Sequence, residues 1–187
     1  MDNLNQIMIS QRPQYLEVHT NCEFENIYNI YTFEGGEKGK KILKGKERSS
    51  CMARHFTVPE CRPFNMYVTK KKNLGKGGFL RFERNYACTC MCCNRPYMLV
   101  YNIEESMRGI GHKLMRPSQE DELIGRVHDP YHCCDLTFNC YDEAGVKDYF
   151  IRGSCCQCGI CFHCACGPCK RVNFKVIDKN GEEVGGI

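Results

Sequence analysis

Apolar and polar residues alternate with a period of two in four stretches of this chain, each broken by a glycine-rich or charged turn. In residues 26–33, Ile27, Tyr31 and Phe33 fall on one parity and Tyr28 and Ile30 on the other, before Gly35-Gly36 and Gly39 interrupt the run ahead of Ile42 and Leu43. Aromatic and β-branched residues at that spacing predict a hairpin, here with a loose basic loop. Phe64, Met66 and Val68 alternate against Asn65, Tyr67 and Thr69, and a lysine-rich turn then leads into residues 79–84. Leu136, Phe138 and Cys140 alternate before Asp142-Glu143-Ala144-Gly145 and the run 146–151, and Phe174 and Val176 precede the Asn180-Gly181 turn and Val184. Asn-Gly is the favoured corner of a two-residue hairpin, because both central residues adopt positive φ there.

The second and third units lead into similar segments. Phe82-Glu83-Arg84 runs into cysteines 88–93, and Phe150-Ile151-Arg152 runs into cysteines 155–169. An extended apolar segment begins after each cluster, at 97–103 and at 172–177. Residues 104–108 suit one helical turn that Gly109 and Gly111 stop. Repeated antiparallel hairpins with hardly any helix predict a mainly β fold, a sheet curling toward a barrel as one domain over 1–187. A barrel of large radius needs an apolar filling, and no segment of the sequence supplies one.

Composition narrows the classes. The chain has 187 residues, 42% hydrophobic and 26% charged, a globular balance that argues against disorder throughout. The formal charge of +4 is uneven: Lys38, Lys40, Lys41, Lys44, Lys46 and Arg48 crowd one segment, and Lys70, Lys71, Lys72 and Lys76 another. Such runs suit solvated turns, or contact with anionic lipid headgroups or nucleic acid. No window reaches the roughly 18 consecutive apolar residues of a spanning helix. The turn acids Asp142, Glu143, Asp178, Glu182 and Glu183 read as solvated surface.

The 17 cysteines carry the candidate chemistry. The first ten residues lack a basic start and an apolar stretch, so no secretory signal is predicted and the thiols are expected in a reducing compartment. Three readings of the clusters stand open. An odd count and adjacent pairs such as Cys92-Cys93 and Cys155-Cys156 suit a disulfide scaffold badly. Cys158, Cys161, Cys166 and Cys169 have the short spacing with which thiolates grip one zinc ion, and His163 lies among them. Cys88, Cys90, Cys92 and Cys93 suit S-acylation, with the first three on one face of an extended strand, since two or more acyl chains anchor a protein that has no span. His128, His132 and Cys133-Cys134 are neighbours in sequence only, and covalent catalysis is not expected.

Arg62-Pro63-Phe64 opening a strand, a hairpin ending in Phe82-Glu83-Arg84, a cysteine patch, a segment reaching Ile110-Gly111, and a second hairpin with Ile151-Arg152-Gly153 before another cysteine patch resemble the phospholipid scramblases. The opening, Leu4 to Ile9 followed by Gln14-Tyr15-Leu16-Glu17, and the closing Glu183-Val184-Gly185-Gly186-Ile187 are similar too, so the resemblance covers essentially the whole chain. It implies a tubby-like β-barrel around a central apolar C-terminal helix, and ATP-independent, calcium-dependent movement of phospholipids between leaflets. It also implies palmitoylation at the positions of Cys88, Cys90, Cys92 and Cys93, at the cytoplasmic face of the plasma membrane. The expected partners are a phospholipid bilayer with anionic lipids and a second copy of the chain, not nucleic acid. Family members continue past the position of Ile187 with an acidic calcium segment and the apolar helix, so the barrel is expected to be incomplete and no calcium ligands are assigned within this chain. The alternative is a peripheral or zinc-binding interaction module, in the cytoplasm or nucleus, that moves no lipid.

Overall fold

The structure is a computed structural model and describes residues 6–13, 25–58, 61–70, 79–88, 94–103, 121–161 and 171–187. The chain divides into two compact units, Met1–Arg84 with Val100–Leu123, and Asn85–Leu99 with Ile124–Ile187.

In the first unit, β1 (Ile7–Gln11), β2 (Ile27–Glu34), β3 (Glu37–Arg48), β4 (Phe64–Lys70) and β5 (Phe79–Arg84) pair in chain order, each antiparallel to the last. The loose basic loop expected after residue 33 is instead a tight corner. Gly35 and Gly36 take φ of 60° and 85°, and the lysines beyond them continue as strand β3. Register gives this sheet two unlike faces. Tyr28, Ile30, Leu43, Met66, Val68, Leu80 and Phe82 share the apolar one, and Ile30 and Val68 are buried there. Glu47 sits on that same face at 5% exposure, its carboxylate accepting from Asn26 Nδ2 at 2.6 Å and Ser49 Oγ at 3.1 Å. These two donors offset the loss of water that burying a charge entails.

On the opposite face Arg81 is 2% exposed. Its guanidinium pairs with Glu83 and, at 2.8 Å, with Asp121, and stacks 4.1 Å from the centroid of the Tyr101 ring. Tyr67 is the cross-strand partner of Arg81. Its phenol is pushed above the ordinary 10.0, first by burial, with Asp121 and Glu83 adding to the shift and Arg81 opposing it.

A short helix, α1 (Cys51–Phe56), comes after β3. Ser50 caps it by accepting from the Ala53 amide at 3.0 Å, and Thr57 N–H closes it onto the Ala53 carbonyl. Hydrophobic periodicity does not reveal α1, since none of its residues is buried; the local signal is Ser50 three residues ahead of Ala53.

The second unit takes β7 (Glu122–His128) from Ile124 onward, then β8 (Asp135–Asp142), β9 (Lys147–Ser154), β10 (Lys175–Asp178) and β11 (Glu183–Gly186), again antiparallel in chain order, with α2 (Cys158–Cys161) after β9. Strand β6 is Tyr97–Ile103. Two acids fix the hairpin corners. Asp142 Oδ1 accepts from Val146 N at 2.7 Å, and Asp178 Oδ1 accepts from the amides of Asn180 and Glu182 at 2.9 and 2.8 Å. These bonds, that from Glu182 foremost, hold the Asp178 carboxyl below its ordinary range. Phe138 and Phe174 meet at 6.3 Å between ring centroids, and Gly153 leaves room for Phe174.

The mainly antiparallel architecture agrees with the sequence, but neither unit is a closed barrel. Among the described residues β1 pairs only with β2 and β11 only with β10, so each unit is an open meander. The helical turn expected at 104–108 lies outside the described residues. No described helix is long and apolar enough to cross a membrane.

This packing has three measurable consequences. A Cβ at Gly125 would lie 2.4 Å from the Tyr141 carbonyl oxygen, whereas at Gly185 it meets open space. Gly125→Ala is therefore expected to lower unfolding free energy by roughly 1–3 kcal/mol in urea titration, with Gly185→Ala as the silent control. Asp121→Ala leaves the Arg81 guanidinium short of a partner and is expected to cost about 3–5 kcal/mol. Tyr67 has a raised folded-state value, so its contribution to stability is complete below pH 10.0 and is lost as pH rises through the folded value. Urea titrations across that range are expected to fall less steeply for Tyr67→Phe than for the parent.

Candidate functional site

Strand β3 presents the strongest charge pattern among the described residues. Strict alternation would place Lys38, Lys40, Lys44, Lys46 and Arg48 on one face and Lys41 on the other. The observed register differs. Asn29 pairs with Lys44, Tyr31 with Lys41 and Phe33 with Lys38, because Ile42 is an extra residue where the register shifts between Ile30 and Tyr31, and a second shift comes before Phe33. Such bulges reset the parity of the longer strand. Lys38, Lys41, Lys44, Lys46 and Arg48 consequently share one face, with Tyr67 and Thr69 of β4 beside them.

The tethering along this row is graded. Arg48 Nη1 lies 2.9 Å and Lys46 Nζ 3.9 Å from Glu25 Oε2. Lys41 donates to Asn29 Oδ1, and Lys38 Nζ rests 3.9 Å from the Tyr31 ring centroid. Lys38, Lys41 and Lys44 have no acidic partner among the described residues, and Lys38 and Lys44 are exposed. Three unneutralised ammonium groups on one sheet face can receive phosphate or carboxylate oxygens from a surface laid against them. Lys70 ends β4, while Lys71, Lys72 and Lys76 lie outside the described residues.

Of the first cysteine cluster, Cys88 is exposed, while Cys90, Cys92 and Cys93 lie outside the described residues. Strand β5 ends at Arg84, so Cys88 is not on a strand as expected, and the shared extended face is not observed for it. Asn94 Nδ2 donates to the Cys88 carbonyl at 3.2 Å, which brings together the two ends of the segment holding the other three. Arg95 anchors the chain as it leaves this segment: its Nε donates to the Asp129 carbonyl at 3.1 Å, and its Nη2 pairs with the Asp129 carboxylate.

Of the second cluster, Cys158 and Cys161 occupy the single turn of α2 and are exposed, while Cys166, Cys169 and His163 lie outside the described residues. A spacing of three in a helix puts both thiols on one side, which suits two of four zinc ligands. Among the described residues no three His, Cys, Asp or Glu side chains are placed to hold one metal ion, calcium included.

The second unit also contains a concavity of about 480 Å³ lined by Tyr97, Leu99, Arg126, His128 and Tyr141. Arg126 stacks on the Tyr141 ring at 4.9 Å and has no acidic partner among the described residues. Sequence spacing does not reveal this recess, because its polar residues come from separate strands that register brings together.

Phospholipid scramblase 1 of Homo sapiens is 26% identical to the chain over 161 residues, an alignment covering 86% of this chain and 44% of that protein. The chain thus spans less than half the length of this relative. No solved structure matches it. A sequence profile described as Scramblase matches residues 1–187, from which we conclude that the chain belongs to the Scramblase family.

Proposed function

We propose that this chain is a membrane-docked lipid-handling domain that takes part in calcium-dependent, ATP-independent movement of phospholipids between leaflets, at the cytoplasmic face of the plasma membrane. The observation that supports the reading best is the row of Lys38, Lys41 and Lys44 on one face of β3, brought into line by the two register shifts between β2 and β3. A basic group near an anionic membrane surface contributes about 1 kcal/mol, so three together favour the bound state by roughly 100-fold. S-palmitoyl chains among Cys88, Cys90, Cys92 and Cys93 complete the attachment, since one acyl chain holds a protein only marginally and two hold it stably. Cys88 is exposed, as a thiol receiving an acyl chain has to be.

Docking supplies only part of scrambling. A headgroup crossing the hydrocarbon core must shed the water around its charge, and a protein lowers that barrier by offering a polar route or by thinning the bilayer. No described helix spans the bilayer, so the role proposed for this chain is to hold and orient the assembly at the lipid surface, in an oligomer or beside further membrane-inserted structure.

Vesicle co-sedimentation of the purified chain tests the docking. Binding to phosphatidylserine-containing vesicles is expected to fall by roughly 100-fold when Lys38, Lys41 and Lys44 are all changed to Gln. Unchanged binding would exclude the basic face as the docking surface. In proteoliposomes carrying labelled lipid, calcium-dependent equilibration across the bilayer supports the transport role and its absence counts against it. Stoichiometric zinc released by thiol alkylation would favour an interaction module instead.

A further inference from the structure

Cys133-Cys134 and Cys155-Cys156 have no part in the proposed membrane attachment, yet the fold sets these two adjacent pairs against each other. Strand β8 begins at Asp135 and β9 ends at Ser154, and these two residues are cross-strand partners. The ladder runs one step further, because Cys155 N–H donates to the Cys134 carbonyl at 3.1 Å. That bond sets Cys134 opposite Cys155, while Cys133 and Cys156 lie one residue further, in the bend and the turn beyond the ladder.

Directly opposed residues in an antiparallel pair point to the same side of the sheet, with Cβ atoms about 4.5–5.5 Å apart. The Cα separation of a hydrogen-bonded pair, about 5.5 Å, falls in the range that disulfides span, and the Cβ atoms have to draw in by roughly 1 Å to reach disulfide distance. Cys155 and Cys156 have sulfurs 3.9 Å apart, but adjacent residues bridge only through a distorted peptide. Cys161 Sγ is directed at the Cys155 carbonyl, at 3.5 Å. The cross-strand pair is therefore the one that can close without moving the backbone far. Cys134 is exposed and Cys155 half-buried, so a small oxidant reaches the first and the second lies behind it.

We infer that Cys134 and Cys155 form a reversible disulfide that clips the open end of the β8–β9 hairpin, with a glutathione-type disulfide as the oxidant. The Cys134 thiolate attacks one sulfur of oxidised glutathione, forming a mixed disulfide and releasing one glutathione thiolate. The Cys155 thiolate then attacks the Cys134 sulfur and releases the second glutathione. The two protein thiols lose two electrons and two protons, and two glutathione molecules carry them away.

Both thiols hold their protons more tightly than an ordinary cysteine. For Cys134 the main cause is its hydrogen bond with Cys133, and for Cys155 it is desolvation followed by its bond with Cys156. The reduced pair is accordingly protonated at neutral pH, and closure tracks the glutathione ratio around it. The clip sits immediately before α2, so oxidation ties the start of the second cysteine segment to β8.

The test is a titration of the full-length chain with mixtures of oxidised and reduced glutathione, followed by alkylation and peptide mass mapping. A Cys134–Cys155 cross-linked peptide is expected to appear with loss of both alkylatable thiols, and dithiothreitol is expected to reverse it. In Cys134→Ser, Cys155 is expected to stay alkylatable or to carry a single glutathione, and amide exchange over Cys155–Cys161, slowed by oxidation of the parent, is expected to stay unchanged. Both thiols remaining free, a Cys133–Cys156 bridge in their place, or a random mixture of cystines would each overturn the inference.

Discussion

The antiparallel ladder determines everything else in this molecule, because a strand has only two faces and every side chain must go to one of them. In the first unit the ladder separates an apolar face, with Ile30 and Val68 buried, from a face carrying the cations of β3. A residue inserted at Ile42, with a second register shift before Phe33, decides which lysines share that face. The candidate membrane surface therefore depends on two local irregularities in hydrogen bonding, not on the number of lysines in the segment. In the second unit the same ladder, carried one residue past its formal end, sets two pairs of cysteines against each other.

Charge buried in the first unit bears the cost of this division. Arg81 is almost wholly enclosed, and it is tolerated because Glu83 and Asp121 neutralise it and the Tyr101 ring covers it. Glu47 faces the apolar side and accepts from Asn26 and Ser49 there. Removing the partner of a buried charge in either group leaves that charge stranded, which is why such a loss is costly. The exposed cations of β3 differ: Lys44 is solvated, and moving it against an anionic surface strands nothing.

Alternation makes the hairpins legible. Residues 64–70 and 135–142 carry clean period-two patterns and are strands β4 and β8. Strand β1 is hidden because Ile7 and Ile9 are exposed at a sheet edge, and β7 because Leu123 and Ile124 are exposed as well, so neither has a sharply divided pattern. The tight Gly35-Gly36 corner reads as a loop because the lysines after it suggest solvent, whereas a strand with one polar face accommodates them. The cysteine clusters are visible as clusters. Sequence does not supply the pairing of Cys134 with Cys155, since contacts across a ladder depend on register, and the bulge at Ile42 has no composition of its own. The resemblance to scramblases is legible from the order of elements and agrees with the family match along the chain.

Whether the β3 face lies against an anionic lipid surface is the point on which the functional reading turns, and amine footprinting reads it directly. The chain is labelled with an acetylating reagent in the presence and absence of phosphatidylserine-containing vesicles, and each lysine is quantified by mass spectrometry. Docking through β3 predicts that Lys38, Lys41 and Lys44 become protected together while Lys179, on an exposed turn of the second unit, labels as before. Equal labelling of all four lysines with and without vesicles, or protection confined to Lys179, would contradict it.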